Sequence, residues 1–287
     1  MSKAAILERE AKLRPYAAAG GFLAVVCFVL SQVIAGSIAS GTVGTVPQAL
    51  RQIDANSGLV EVAGVVAGIG LLSMMAPLMF LFKASQARSP RVNSGLVGLV
   101  VLGPLLYAIQ FSVSAFGRVG ISSDFVAQAP GVGDIYTLSS DLIDDSKLVQ
   151  FASYVGGAGS IALIVIVIYT ALWATRTGLL TRFTGTLGMA LGASTLIASL
   201  VAIPALSVWF AYVGAVILGK GPKGRPPAWD AGEAVAPLKP GETREPAMAG
   251  GPDVIDGDAT EIPGVGETNS NAARRERAKK RKRKRRR

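Results

Sequence analysis

A row of polar and small residues follows one face of an apolar segment in the middle of the chain. Gly103, Tyr107, Gln110, Ser114 and Gly117 are separated by 4, 3, 4 and 3 residues. On an α-helix this spacing places all five on one face. Polar groups inside apolar segments usually turn toward other helices and are often functional, so this face predicts a polar cluster inside a helical bundle.

Two residues from other apolar segments are candidates for the same cluster. Glu61 shares a helix face with Gly64 and Gly68, and Gln32 lies in the outer half of the first segment. Two interpretations stay open. The favoured one is a set of interhelical hydrogen bonds, and the other is an outward-facing pocket for a small cationic or polar ligand. The ligand candidates are Gln32, Glu61, Tyr107, Gln110 and Ser114.

The composition predicts no catalytic residue, no cofactor and no metal site. The chain has no histidine and a single cysteine, Cys27, so zinc, haem and iron–sulfur sites lose nearly all their usual ligands. No aspartate lies inside an apolar segment, which also counts against buried proton relays. Asp141 and Asp145 would share a helix face and could suit a hard cation, but acidic residues near a helix start are the favoured explanation.

The apolar segments are typical of an integral membrane protein. Half of the 287 residues are hydrophobic and 17% are charged, against about one quarter in soluble domains. Runs long enough to cross about 30 Å of hydrocarbon predict spans at 17–39, 59–82, 95–117 and 153–175. A fifth and sixth span are predicted at 184–200 and 203–219, joined by a tight turn between Leu200 and Pro204.

The distribution of basic residues favours six crossings with both termini in the cytoplasm. Nine Lys and Arg residues fall on the segments expected inside and three on those expected outside. The fold prediction is therefore an all-α, polytopic bundle of six transmembrane helices in the plasma membrane. It has a basic N-terminal segment at 1–16 and an acidic outer loop at 118–152, where SSDLIDDSK predicts a capped helix start before the fourth span.

The last 68 residues, 220–287, predict a disordered cytoplasmic tail. Few of them are large and apolar, and an acidic linker precedes a basic end. Of the last 14 residues, 12 are Lys or Arg. Anionic phospholipid is the favoured partner of this end, with ribosomal or other nucleic acid as the alternative. The contact residues would be Arg274, Arg275, Arg277, Lys279, Lys280, Arg281, Lys282, Arg283, Lys284, Arg285, Arg286 and Arg287.

Three stretches give the chain a resemblance to a family of six-helix bacterial membrane proteins without an assigned activity. These are LRPYAAAGGFLAVV at the first span, LWATRTGLLTRF between the fourth and fifth, and GKGPKGRPPAWDAGEA after the sixth. RPPAW is the most compact part of the pattern. The resemblance implies the fold and the membrane location for about residues 13–235, and it assigns no functional residue.

Taken together, the sequence predicts a non-enzymatic, multi-pass plasma-membrane protein. Its bundle would act as a scaffold or small-ligand receptor, and its polybasic tail would contact anionic lipid at the inner surface. The alternative is a small-solute transporter or permease that uses the outer polar cluster. Gly64–Gly68 and Gly188–Gly192 form small-xxx-small faces, which predict close helix packing and a possible homo-oligomer.

Overall fold

The structure is a computed structural model that describes residues 2–38, 44–221 and 224–235. These residues are almost entirely helical and contain no strand, which confirms the all-α fold class for this part of the chain. The helices are α1 (Lys3–Ile38), α2 (Val46–Ala55), α3 (Ser57–Arg88), α4 (Val97–Gln128), α5 (Ile135–Asp145), α6 (Lys147–Arg176), α7 (Arg182–Ser194), α8 (Ser199–Ile217) and α9 (Ala228–Ala231).

The basic N-terminal segment is part of the first long helix. The predicted basic segment at 1–16 continues into the first span as one helix, since α1 begins at Lys3 and runs through Pro15 to Ile38. Its first turns are rich in Ala, Leu, Glu, Lys and Arg, which are strong helix formers. Pro15 removes one backbone donor, a cost that the long helix tolerates. The helical extension places Glu10 of α1 beside the end of α3.

Six helices pack side by side in the order α1, α3, α4, α6, α7 and α8, and α8 closes the ring against α1. Neighbouring helices run antiparallel. Along α1, for example, Gly20 faces Ala76 of α3, and Ala18 faces Gly214 of α8. The start of α1 and the ends of α3, α6 and α8 therefore meet at one end of the ring, here called the α9 end. The opposite end carries α2 and α5 and is here called the α5 end.

The closest helix contacts occur at glycines. A Cβ atom at Gly20 would lie 2.7 Å from that of Ala76, and one at Gly159 would lie 2.7 Å from the backbone nitrogen of Tyr107. Gly64 and Gly68 bring α3 against α4, while Gly188 of α7 lies under the Trp209 ring of α8. The small-xxx-small faces therefore pack within this chain, as expected for close helix contacts.

Four helical segments are long and apolar enough to cross a membrane: Lys3–Ile38, Ser57–Arg88, Ser94–Gly131 and Lys147–Arg176. Each overlaps one of the first four predicted spans. Their exposed apolar surface is also typical of a membrane protein. Val26, Val33 and Ile161 are each at least 60% exposed.

The turn between α7 and α8 lies earlier in the sequence than predicted. The turn covers 195–198, so α7 ends at Ser194 and Pro204 lies inside α8. Proline within the second turn of a helix removes a single backbone hydrogen bond, which explains why α8 continues through it. With 13 residues, α7 alone is about 20 Å long. The fifth and sixth crossings stay a prediction.

The predicted acidic loop at 118–152 is mostly helical. Helix α4 continues to Gln128, α5 follows, and α6 begins at Lys147. Leu50 of α2 and Phe125 of α4 form a small apolar cluster with the inner face of α5. This cluster holds α2 and α5 against the end of α4, because burying its apolar side chains removes them from water.

The helix caps in this region differ in part from the prediction. Asp134 caps α5 by accepting hydrogen bonds from the backbone N–H groups of Tyr136 and Thr137. Ser146 caps α6 by accepting from the N–H of Val149. The segment SSDLIDDSK therefore ends α5 before it starts α6. Among the described residues no group of three or more potential metal ligands occurs, and Asp141 and Asp145 lie in the last turns of α5.

The first part of the predicted disordered tail is folded. Residues 224–235 return to the α9 end of the ring, where Trp229 of α9 is fully buried. The backbone N–H of Val235 donates to the carbonyl of Thr177, at a distance of 3.2 Å. RPPAW is thus a packing motif. The predicted tail contacts from Arg274 to Arg287 lie outside the described residues.

Candidate functional site

Helices α1, α3 and α4 surround a cavity of about 460 Å³ near the α5 end. It is partly open to the outside. Its polar lining comes from α1 and α4, and its apolar lining comes from α1, α2, α3 and α4. We call it the Gln110 cavity, and its residues are Ser31, Gln32, Ala35, Ile38, Ile53, Val60, Ala63, Gly64, Ala67, Tyr107, Gln110, Phe111, Ser114, Ala115 and Arg118.

The structure brings four of the five ligand candidates into this cavity. Tyr107, Gln110 and Ser114 line it from α4, and Gln32 lines it from α1. Helical spacing is a local property, which is why the shared face of α4 could be predicted. The convergence with Gln32 required the topology as well.

Glu61 does not line the cavity. Helix α3 contributes Val60, Ala63, Gly64 and Ala67, and Glu61 lies half-buried on the flank of that stripe. The prediction grouped it with Gly64 and Gly68 because their spacing is helical. Gly64 and Gly68 approach α4 closely, and Gly64 lines the cavity, whereas Glu61 does not.

Gln110 is held at the junction of α4 and α6. A Cβ atom at Gly156 would overlap its side chain, so the absence of a side chain at Gly156 leaves the room that Gln110 occupies. The Oε1 atom of Gln110 is buried and has no hydrogen-bond partner among the described residues. An unpaired buried amide oxygen costs about 1–3 kcal/mol. A donor supplied by a ligand would remove that cost once the amide turns toward the cavity.

Aromatic rings close the cavity toward the middle of the bundle. Phe111 packs edge-on against Tyr107, with ring centres 5.4 Å apart, and against Phe28, with centres 6.5 Å apart. Beyond them, Leu71 and Met74 are fully buried. The interior on this side is therefore apolar and closed, which separates the cavity from the α9 end.

Arg118 adds a positive charge at the cavity that was not among the site candidates. It is exposed and lies one helical turn beyond Ser114 on α4. Its spacing of four residues from Ser114 is the available signal in the sequence, whereas its position after the third span predicts only an outer charge. The cavity thus combines amides, hydroxyls and a guanidinium with an apolar wall.

These groups suit binding better than bond making. Among the described lining residues there is no carboxylate, thiol or imidazole, the groups that most often act as general base or activated nucleophile. Amide and hydroxyl groups donate and accept hydrogen bonds, and Arg118 can pair with a carboxylate or phosphate. Cavities of 300–1,000 Å³ with a few polar groups are typical of small-molecule sites.

A second polar cluster, at the α9 end, was missed by sequence reasoning. Arg88 at the end of α3 forms a bidentate ion pair with Glu10 of α1, and the Nη2–Oε2 distance is 2.9 Å. The Arg88 side chain has no exposed surface. It also donates to the carbonyls of Ala84 and Ala228. The two partners are 78 residues apart, and the only signal was an acidic residue in a basic segment.

The side chain of Trp229 packs α9 against this ion pair. Its ring stacks on Phe80 with centres 5.5 Å apart, and its Nε1–H donates to the carbonyl of Leu179 at 2.9 Å. The guanidinium of Arg88 lies 5.4 Å from the ring centre, within the range of a cation–π contact. We call Glu10, Arg88 and Trp229 the Arg88 junction.

Arg225 lies beside the junction, in surroundings that disfavour its positive charge. Burial lowers the pKa of its guanidinium, and the nearby positive charges of Arg14 and Arg88 lower it further, against the opposing effect of Asp230 and Glu10. Its Nη1 lies 3.1 Å from Asp230 Oδ1, while Nε and Nη2 have no hydrogen-bond partner among the described residues. Arg14, Arg88 and Arg225 thus face only two acidic groups, Glu10 and Asp230, around the junction.

None of the family models, curated proteins and solved structures compared with the chain matches it.

Proposed function

We propose that the chain is a non-enzymatic, multi-pass plasma-membrane protein that binds a small polar ligand in the Gln110 cavity. The observation that carries the proposal is the buried Oε1 of Gln110, which faces Gly156 of α6 and has no hydrogen-bond partner among the described residues, on a side chain that lines a cavity of about 460 Å³. The sequence predicts a small cationic or polar ligand, and the positive charge of Arg118 favours a polar ligand with an acceptor or acidic group over a cationic one. A ligand with a hydrogen-bond donor for Gln110 and an acidic or acceptor group for Arg118 would fit best.

A receptor fits the cavity better than the alternative, a small-solute permease. A permease needs a polar path that can open to both faces of the membrane, and substrate sites of such proteins usually lie near the midplane between broken helices. The Gln110 cavity ends at Phe28, Tyr107 and Phe111, and the core beyond is apolar. These contacts favour a site with a single entrance.

Ligand-dependent thermal shifts test the binding proposal. The full-length protein in detergent would be screened against amino acids, short carboxylates and polyols. We expect Gln110→Leu and Arg118→Gln to abolish the shift produced by any ligand that stabilises the unmodified protein. Glu61→Gln is the matched control, because Glu61 lies near the same end but outside the cavity. Loss of the shift in the control, or retention in Gln110→Leu, would contradict the site.

The topology belongs to the same proposal. We propose six crossings with both termini in the cytoplasm, which places the Gln110 cavity in the outer half of the membrane and the α9 end inside. The meeting of the start of α1 with α9 supports an even number of crossings. The bias of nine inner against three outer basic residues supports the direction.

We further propose that the polybasic end contacts anionic phospholipid at the inner surface. Each Lys or Arg near such a surface contributes about 1 kcal/mol, and the segment carries 12 of them. A peptide covering Ala272–Arg287 should bind anionic vesicles, ignore neutral vesicles and dissociate at high salt. Binding to RNA or ribosomes without binding to anionic vesicles at low salt would favour nucleic acid as the partner.

A further inference from the structure

A groove runs along the side of the bundle at the α9 end, between α1 and α3. It extends from Ile6 to Ala17 on α1 and from Ala76 to Ala87 on α3, and its volume is about 290 Å³. We call it the α1–α3 groove. It lies on the outer side of the two helices, so it is separate from the Gln110 cavity at the other end.

The groove is apolar along one part and cationic along the other. Because α1 and α3 are antiparallel, Leu13 and Ala17 lie opposite the stretch from Ala76 to Lys83. These residues make a wall of small and aliphatic side chains. Arg9 lies toward the α9 end, and the long side chain of Lys83 can extend in the same direction.

The two cations of the groove have no counterion among residues 2–38, 44–221 and 224–235. Arg9 is exposed and forms no ion pair among the described residues, and Lys83 contacts the neutral Oε1 of Gln86 at 3.3 Å. Glu10 also lines the groove, but Arg88 occupies both oxygens of its carboxylate. The cationic part is therefore free to pair with an anion from outside the chain.

The position of the groove fits the boundary between hydrocarbon and water. Beyond it on α1, Phe22, Leu23 and Val26 are exposed, as expected for a helix surface that contacts acyl chains. Tyr16 is 72% exposed at its edge, and tyrosine is enriched at the level of lipid headgroups. Basic pockets between transmembrane helices at this level are known to hold anionic headgroups.

We propose that the α1–α3 groove binds one anionic phospholipid. Its phosphate pairs with Arg9 and Lys83, and one acyl chain lies along Leu13 and Met79. The inference does not depend on the ligand of the Gln110 cavity or on the polybasic tail. A free phosphate ion would satisfy the two cations but would leave the apolar part of the groove uncovered.

Native mass spectrometry of the full-length chain tests the proposal. The 12 basic residues of the tail are replaced by glutamine so that they add no background. We expect one phosphatidylglycerol to be retained in preference to phosphatidylcholine with the same acyl chains. Arg9→Gln combined with Lys83→Gln should weaken retention about 30-fold, which corresponds to five- to sixfold per charge. Lys12→Gln is the control, since Lys12 is exposed on α1 and pairs with Glu8 outside the groove.

Two further measurements distinguish binding of the whole lipid from binding of its headgroup alone. Neither depends on the folding of a substituted protein. Phosphatidylglycerol with a photoreactive acyl chain should cross-link unmodified protein at residues 13–17 and 76–80. Glycerol phosphate should fail to displace the lipid. Equal retention of the neutral lipid, cross-links elsewhere, displacement by glycerol phosphate, or equal effects of Lys12→Gln and the double variant would each overturn the proposal.

Discussion

At the scale of single residues, the Arg88 junction shows how a buried charge can be retained. Arg88 has no exposed side-chain surface, and Glu10 neutralises it while the carbonyls of Ala84 and Ala228 accept its remaining donors. Removing a charge from water costs several kcal/mol, and only a paired and hydrogen-bonded geometry offsets that cost. The chain therefore depends on both partners together.

Glu10→Gln should destabilise the protein by about 3–5 kcal/mol, because it leaves the Arg88 charge buried without its partner. The measurement is the free energy of unfolding in mixed detergent micelles. Glu8→Gln is the matched control, since Glu8 is an exposed carboxylate on the same helix that pairs with Lys12. The control should change stability by less than about 1 kcal/mol. Similar losses in both variants would show that the junction contributes no more than a surface pair.

At the scale of elements, the helices approach one another through positions without side chains. On α6, Gly159 lies against the backbone of Leu106 and Tyr107 of α4, whereas Gly157 faces open space. The two glycines are two residues apart and belong to the same helix. They therefore allow packing to be separated from helix propensity.

Gly159→Ala should destabilise the bundle by about 1–3 kcal/mol, because its Cβ would lie 2.7 Å from the backbone nitrogen of Tyr107 and would push α4 away from α6. Gly157→Ala should be neutral or stabilise the protein by about 0.5–1 kcal/mol, since alanine is the better helix former. Thermal unfolding in detergent measures both. A loss of stability in Gly157→Ala equal to that in Gly159→Ala would refute the role of the close contact.

The start of α5 should respond to acid. The Thr137 hydroxyl and the backbone N–H groups of Thr137 and Tyr136 lower the pKa of Asp134 below its ordinary value of 3.8. A depressed pKa contributes stability above 3.8, and this contribution is lost as the pH falls through the folded-state value. Amide hydrogen exchange of α5, corrected for its intrinsic pH dependence, should therefore rise below pH 3.8. Asp134→Asn should retain the cap and lose this pH dependence.

The elements that could be predicted are those set by local patterns. Apolar length located four membrane-length helices, and the 3.6-residue period placed Tyr107, Gln110 and Ser114 on one face. The Glu10–Arg88 pair could not be predicted, because its partners meet only after α1 and α3 pack. The burial of Trp229 could not be predicted for a related reason. A Gly- and Pro-rich segment looks disordered unless a surface elsewhere in the fold buries its single large side chain.

At the scale of the whole molecule, the short α7 leaves two routes for the last hairpin. Two full crossings would carry the turn at 195–198 to the far surface, while a re-entrant hairpin would leave it in the hydrocarbon. Leu196 and Ile197 in this turn are 71% and 90% exposed and apolar, which suits contact with lipid. Both routes return the chain to the side where it began.

Two labelling experiments resolve the topology. A reporter fused after Arg287 should be active only in the cytoplasm, and activity outside would require an odd number of crossings. In a Cys27→Ala background, Ile197→Cys should react with an impermeant thiol reagent from outside if α7 and α8 each cross. Protection of that cysteine in intact cells, together with a cytoplasmic reporter, would replace the last two crossings by a re-entrant hairpin.

Helix α1 touches both polar regions of the molecule. Glu10 belongs to the Arg88 junction and Gln32 lines the Gln110 cavity, and their separation of 22 residues corresponds to about 33 Å of helix. Sliding α1 along its axis as a rigid rod would displace both side chains by the same distance. A displacement of α1 along its axis would therefore alter the Arg88 junction and the Gln110 cavity together.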